Sequence, residues 1–232
     1  MFGTNYTDGG VLSYRTASEV SQAMGRVYGY MGMALIISML VSMFVGSDPE
    51  LVKFFFTGIM HWVVVFAPLA CVFFLVPFLE SDPSREMCLV ALGGFSAVMG
   101  LRFAVIFAVY TALSIFSAFM GAGVLFGTMS FYGYFTKRSL DSLGRFMFVG
   151  LIAIIIASLI NIFIGSTVMQ MVISALAIII FLGLTAYDTQ QIREMVSTDT
   201  TPAAEVSGAL TLYLDFINIF LNLLALFGVK KD

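Results

Sequence analysis

Charged residues are scarce in this chain. Only 11% of its 232 residues are charged, whereas 60% are hydrophobic and the mean hydropathy is +1.01. A soluble domain is about one quarter charged, so this chain has too few charged groups to cover a water-soluble surface of its size. We therefore expect an integral membrane protein, and the lack of a long polar segment predicts one compact membrane domain.

Excess basic charge, histidine and cysteine are equally sparse. The net charge of −3 gives no basic face, so no nucleic-acid partner is expected. Cys71 and Cys88 lie in or beside apolar runs, and they form no CxxC motif and no cluster with the single histidine, His61. A disulfide framework, a structural metal centre and a bound cofactor are therefore not expected.

Long apolar runs, by contrast, fill most of the chain. A membrane helix needs ~20 mostly apolar residues, and seven runs qualify: 27–46, 59–79, 87–106, 108–134, 144–165, 168–187 and 204–228. The first run lacks a small-residue cleavage site, which predicts a retained span. We predict a polar amino-terminal segment at 1–26, a seven-span domain at 27–229 and a polar tail at 230–232. Only Arg102 and small residues separate the third and fourth runs, so a six-span count stays open.

The placement of lysine and arginine indicates the orientation. With seven spans and the amino terminus inside, seven of the basic residues fall inside and four fall outside. The inside set includes the dense group Lys137, Arg138 and Arg145. We therefore predict that the amino terminus faces the cytoplasm and the carboxyl terminus faces outward.

Two GxxxG motifs suggest close helix crossings. Gly25 and Gly29 form one, and Gly123 and Gly127 form the other. Small residues let helix backbones approach in lipid. Packing within the bundle is the expected use of these glycines, and dimerisation through them is the alternative.

The last span carries a polar stripe. Asp215, Asn218 and Asn222 are spaced i, i+3 and i+7, which places them on one helix face. Asp215 is about ten residues into the span, or ~15 Å from its start. A carboxyl group facing lipid there is costly, so the stripe should face the bundle interior.

Asp188 ends the sixth apolar run and is the second candidate acid. If the sixth and seventh helices are antiparallel neighbours, Asp188 and Asp215 can approach, although their depths do not obviously match. A seventh span that starts later than Ala204, or a sixth helix that continues through Gln191, would reconcile the depths. The alternatives are that Asp188 is a solvated loop residue and that Asp215 is a buried carboxyl bonded to backbone or hydroxyl groups.

A pair of buried carboxyl groups has a definite chemistry. Two neighbouring carboxyls in a low-dielectric site do not both ionise, so the pair shares a proton and titrates as a unit. Loss of that proton leaves two carboxylates that attract a hard cation such as calcium. The sequence therefore predicts a proton-sensitive cation site at Asp188 and Asp215, with Asn218 and Asn222 as supporting polar groups.

Several stretches together resemble the Bax inhibitor-1 family, also called the transmembrane Bax-inhibitor-motif family, and especially its bacterial branch. They are HW at 61–62, APL at 67–69, YGYFTKRSL at 132–140, GRF at 144–146, ASLINIF at 157–163, LTAYD at 184–188 and GALTLYLDFIN at 208–218. The resemblance implies an all-α membrane protein, a seven-helix bundle with the last helix central, in a bacterial inner membrane. It also implies a pH-sensitive calcium leak in which two hydrogen-bonded aspartates, matching Asp188 and Asp215, act as the sensor.

Two arginines that are usual in the family are absent from this sequence. Members usually carry an arginine near the end of the second helix, thought to latch the aspartates, but FLVPFLE at 74–80 has none. The position best matched to this arginine is Phe78. The seventh helix often ends Leu-Leu-Arg, whereas this chain has LLA at 223–225. These departures favour, as the alternative, a non-transporting regulator that binds another membrane protein, such as the membrane protease linked to one bacterial branch.

Other functions of seven-span or aspartate-bearing membrane proteins are disfavoured. An intramembrane aspartyl protease has GxGD at its second aspartate, and Leu212 to Asp215 supplies no glycine. A retinal protein has a lysine within the last span, and Lys230 and Lys231 lie beyond it. We therefore expect no enzymatic activity, with the lipid bilayer and calcium as the main partners.

Overall fold

A computed structural model describes residues 15–231 of the chain. In this range seven helices are long and apolar enough to cross a membrane, and one short helix precedes the second of them. The prediction of an all-α membrane protein with seven spans is confirmed. The helices are α1 (Ala17–Gly46), α2 (Pro49–Phe56), α3 (Gly58–Glu80), α4 (Arg85–Val109), α5 (Ala112–Phe135), α6 (Asp141–Ile164), α7 (Thr167–Thr198) and α8 (Pro202–Phe227).

The third and fourth spans are separate helices, which excludes the six-span count. The break falls at Tyr110 and Thr111 rather than at Arg102, which lies inside α4. Thr111 caps α5 because its hydroxyl accepts a hydrogen bond from the main-chain N–H of Ser114 at 3.3 Å. This short capped break is compatible with an almost continuous apolar sequence.

The segment between the first two apolar runs contains an additional short helix, α2. The carboxylate of Asp48 accepts hydrogen bonds from the main-chain N–H groups of Glu50 and Leu51, and Pro49 occupies the first turn of α2. Both features favour helix initiation. The apolar runs did not predict this helix.

Two helices extend well beyond the predicted apolar runs. Helix α1 begins ten residues before position 27, after a capping box formed by Thr16 and Glu19. Helix α7 continues through Gln191 to Thr198 and has 32 residues. At 1.5 Å per residue it is about 48 Å long, which exceeds the ~30 Å hydrocarbon core of a bilayer.

Helix α8 is the most buried of the seven spans, with half of its apolar window inside the protein. In the described part of the chain it packs against α1, α3, α4, α5 and α7, whereas α6 packs against α7 and not against α8. The central position of the last helix stays a prediction. What the packing does establish is that the polar groups of α8 lie among other helices.

Glycines permit close approaches of α5 and α6 to α7, but the glycines of the GxxxG motifs do not take part in them. A side chain at Gly133 of α5 would collide with the main chain of Ala186, and one at Gly144 of α6 would collide with the ring of Tyr187. Added methyl groups at the four GxxxG glycines (Gly25, Gly29, Gly123 and Gly127) would meet no other atom within 4 Å. The expectation that those four pack within the bundle is therefore wrong.

The alternation of the seven spans gives the bundle two ends. We call the end where α1, α4, α6 and α8 begin the amino-terminal end; it is the end predicted to face the cytoplasm. The opposite end contains Lys231, whose side-chain amine donates a hydrogen bond to the main-chain oxygen of Phe107 at 2.6 Å. The orientation in the membrane stays a prediction.

Candidate functional site

The structure brings Asp188 of α7 and Asp215 of α8 together, since both line one cavity between their helices. Asp188 lies ten residues before the end of α7 and Asp215 thirteen residues after the start of α8. These positions correspond to about 15 and 20 Å from the amino-terminal end. The continuation of α7 therefore matches the two depths, and the alternative that Asp188 is a loop residue is wrong.

The surroundings of Asp215 make this pair unusual. Its side chain is only 4% exposed, and Oδ2 has no hydrogen-bond donor among residues 15–231. Two ionised carboxylates cannot bond to each other because both only accept, so a hydrogen bond between them needs one proton. Oδ2 of Asp215 therefore accepts no hydrogen bond from a backbone or hydroxyl group of the described residues, contrary to the alternative of a carboxyl held by such groups.

A cavity of about 690 Å³ opens beside the pair, between α6, α7 and α8. Asp188, Asp215, Asn218 and Thr211 supply polar groups to its lining, and Arg145 is the one basic residue of the lining in the described chain. One water occupies ~30 Å³ of liquid volume. The cavity is therefore large enough for a cation that keeps several of its waters.

The two asparagines of the predicted stripe differ in position. Asn218 lines the cavity, and its Nδ2 donates to the main-chain oxygen of Leu214 at 2.8 Å. Because the amide nitrogen is used in this way, the amide oxygen Oδ1 is the atom of Asn218 that can bind a cation. Asn222 bonds to the main chain of Asn218 one turn farther on and is not among the cavity residues. The structure thus brings together three of the four predicted site residues.

Comparison with known proteins gives a consistent relationship over nearly the whole chain. The family model described as "Inhibitor of apoptosis-promoting Bax1" matches residues 20–232. The chain belongs to the Bax inhibitor-1 family. It is 38% identical to the inner membrane protein YbhL of Escherichia coli over 215 residues, 90% of this chain and 92% of that protein.

Other relatives of this Bax inhibitor-1 family member come from distant bacteria. A Rickettsia prowazekii protein is 33% identical, with 90% of each chain covered, and a Deinococcus radiodurans protein is 33% identical, with 94% of each covered. Together with the seven apolar helices, the similarity to an inner membrane protein makes this chain a multi-pass integral protein of the inner membrane.

A second acid site in this Bax inhibitor-1 protein was missed by the sequence analysis. Glu205 of α8 has no exposed surface, and three arginines surround its carboxylate. Arg15 Nη2 lies 2.8 Å from Oε1, Arg26 Nη2 lies 2.6 Å from Oε1 and Arg26 Nε lies 2.8 Å from Oε2. Arg85 Nη1 lies 3.6 Å from Oε2. We call these four residues the Glu205 cluster.

The sequence contained one signal for this cluster. Arg15, Arg26 and Arg85 all fall in segments predicted to lie inside, but they were counted only to assign the orientation. Glu205, placed at the start of the last span, is predicted at the same membrane face. A search for an acid among cations at one face would have suggested an ion pair, although not its partners.

The family alignment at Phe78 stays a prediction. Helix α3 is continuous to Glu80, and none of its residues is among those lining the Asp188–Asp215 cavity in the described chain. Leu79 next to Phe78 lines a different cavity, whose α8 residues run from Ala203 to Leu210. Leu210 is five residues before Asp215, a rise of about 7.5 Å. The end of α3 therefore packs beside the first turns of α8 on the side toward the amino-terminal end.

Proposed function

We propose that this protein is a pH-sensitive, calcium-permeable leak pathway of the inner membrane, with Asp188 and Asp215 as its proton-sharing cation site. One observation carries the proposal. Asp215 is buried, faces a second carboxyl group and has an oxygen without a donor, and the pair opens onto a cavity between three helices. Buried intramembrane acids in such surroundings are typical of ion pathways.

The chemistry of the pair explains the proposed pH sensitivity. With one shared proton, the carboxyls bond to each other and attract a cation weakly. After that proton leaves, two carboxylates repel each other, and a calcium ion with oxygen ligands offsets the repulsion. Asn218 Oδ1 and cavity water are the remaining oxygen ligands at hand. Calcium and the proton therefore compete, and calcium occupancy of the pair should fall as the pH falls.

The direct test is calcium entry into proteoliposomes over a pH series. We expect the parent protein to carry calcium with a pH-dependent rate, and Asp215→Asn to lose that dependence. Liposomes containing Glu194→Gln, which changes an exposed acid in the last turn or so of α7, serve as the matched control. A parent protein that leaks no calcium above empty liposomes at any pH refutes the proposal.

A second candidate function is a non-transporting regulator that binds another membrane protein, such as a membrane protease. It is supported by the packing of α6, whose apolar window is only 6% buried and which contacts α7 alone of the other spans in the described chain. A helix with so much free surface can accept a partner in the bilayer. Such a regulator carries no calcium in liposomes, and its partner binding survives Asp215→Asn but is weakened by polar substitutions on α6, such as Phe163→Asn.

A further inference from the structure

The Glu205 cluster joins four parts of the bundle at its amino-terminal end. Arg15 immediately precedes the cap of α1, Arg26 lies within α1, Arg85 begins α4 and Glu205 lies in the first turn of α8. Arg15 Nη1 also donates to the main-chain oxygen of Val196 near the end of α7 at 2.9 Å. A single carboxylate therefore holds α8 against α1 and α4 and links it, through Arg15, to α7.

The cluster lies between the aspartate pair and the amino-terminal end of the bundle. Glu205 precedes Asp215 by ten residues on the same helix, so the cluster lies about 15 Å toward that end. Arg15 and Glu205 are almost fully withdrawn from water, and charges in such a place are screened little. A cation that moves along α8 between the cavity and that end passes the cluster.

We propose that the Glu205 cluster is a latch that closes the cation pathway at its amino-terminal end. This inference rests on the proposed function, since a latch needs a pathway to close. The latch acts through its ion pairs, which hold α8 against α1 and α4. Opening requires the amino-terminal end of α8 to separate from the arginines of α1 and α4.

Cys88 provides a natural reporter for this separation. It lies three residues after Arg85 on α4, it is fully buried, and its Sγ lies 3.6 Å from the main-chain oxygen of Pro83. A maleimide reaches the thiol only when the amino-terminal ends of the helices move apart. Because Cys71 is the other cysteine of the sequence, a Cys71→Ser background makes the labelling specific.

The experiment compares Glu205→Gln with Glu194→Gln in that background. Both substitutions remove one negative charge at the amino-terminal end, but Glu194 is exposed and takes no part in the cluster. We expect Glu205→Gln to speed Cys88 labelling at least about tenfold, because removal of one partner from a buried ion pair costs far more than a factor of ten in an equilibrium. Calcium flux should rise in parallel, and Glu194→Gln should change neither quantity.

Arg85→Gln is the milder second variant, in case Glu205→Gln does not fold. Arg85 is half-exposed and 3.6 Å from the carboxylate, so its loss leaves the closer bonds of Arg15 and Arg26 in place. We expect smaller increases in both measurements. Monodisperse elution in detergent confirms that each variant is folded before it is assayed.

The outcomes separate the latch from the pathway. An unchanged Cys88 rate in Glu205→Gln and Arg85→Gln overturns the latch, and so does faster labelling without faster flux in a protein that carries calcium. A parent protein that carries no calcium refutes the proposed function. Cys88 labelling then decides by itself whether the cluster holds the helix ends together.

Discussion

Helix α8 carries two buried acids with opposite surroundings. Glu205 receives hydrogen bonds from two arginines and lies near a third, whereas Asp215 faces another carboxyl group and has an oxygen without a donor in the described chain. The two acids are ten residues apart on one helix. The two acids therefore differ because neighbouring helices place arginines around Glu205 and a carboxyl group beside Asp215.

The comparison indicates which acid can change its charge. Cations around Glu205 stabilise its ionised form, so its charge is fixed and serves to hold helices together. Among residues 15–231 no arginine or lysine is bonded to Asp215, which shares its cavity with the carboxyl group of Asp188. An acid that can gain or lose a proton can respond to pH or to a calcium ion, whereas an acid that stays ionised can serve as a constant ion-pair partner.

The largest effect is expected for Asp215→Asn on pH sensitivity. Asparagine keeps the shape of the side chain but cannot ionise, so the flux should lose a dependence of roughly tenfold per pH unit, the slope for one titrating proton. Calcium flux from pH 5 to 8 measures this. A mutant with the pH profile of the parent contradicts the assignment of Asp215 as the sensor.

Asp188 and Asp215 should act as one unit. Each single asparagine variant is expected to remove most of the calcium response, and the double variant should be little worse, because the proton belongs to the pair. A double-mutant cycle on calcium binding should give a coupling of about 0.5–3 kcal/mol. Fully additive losses would mean two independent sites.

Loss of Glu205 should lower the stability of the protein more than loss of Asp215, although Asp215 matters more for pH sensitivity. Glu205→Gln leaves buried arginines without their counter-charge and should cost about 3–5 kcal/mol of unfolding free energy. Asp215→Asn removes a carboxyl that no cation compensates, so its cost should be near zero. Equilibrium unfolding in mixed detergent micelles compares them; equal losses would remove the distinction between the two acids.

A smaller effect is expected at the glycine that lets α5 approach α7 beside the aspartate pair. Gly133→Ala places a methyl group against the main chain of Ala186 and should cost about 1–3 kcal/mol of stability through overpacking. Gly127→Ala on the same helix meets open space and should be neutral or stabilise by up to about 1 kcal/mol. Thermal unfolding in detergent measures both, and a harmless Gly133→Ala would contradict the close approach.

The smallest effect is expected for Phe78→Arg. An arginine that reached both carboxylates would shift the pH response downward, but α3 does not line their cavity in the described chain. We therefore expect the pH midpoint of calcium flux to stay unchanged. A clear downward shift in Phe78→Arg, absent from Leu79→Arg, would instead support the family alignment and place α3 at the aspartates.

The sequence predicted the structural features that are determined within a single helix. The seven spans follow from runs of apolar residues, and the orientation of Asp215 toward other helices follows from its spacing with Asn218. Both properties are set within one helix. Helix α2 was missed although Asp48 and Pro49 are good initiation signals, because eight residues make too short a pattern beside the long spans.

Contacts between distant parts of the chain could not be predicted. Arg26 and Glu205 are 179 residues apart, and no periodicity links them. The pairing of Asp188 with Asp215 was open because it depended on whether α7 continued past the apolar run. The glycine contacts depend on which helix faces which, so the GxxxG spacing pointed to the wrong glycines.

The separation between Glu205 and its arginines has a consequence for synthesis. Arg15 and Arg26 lie before and within the first span and Arg85 begins the third, but their shared acid is in the last span. During translation the three guanidinium groups are therefore without their acid until the final helix has been made. A chain that stops after α7 lacks the one residue that joins the ends of α1, α4 and α8, so this end of the bundle can be completed only when the last span is in place.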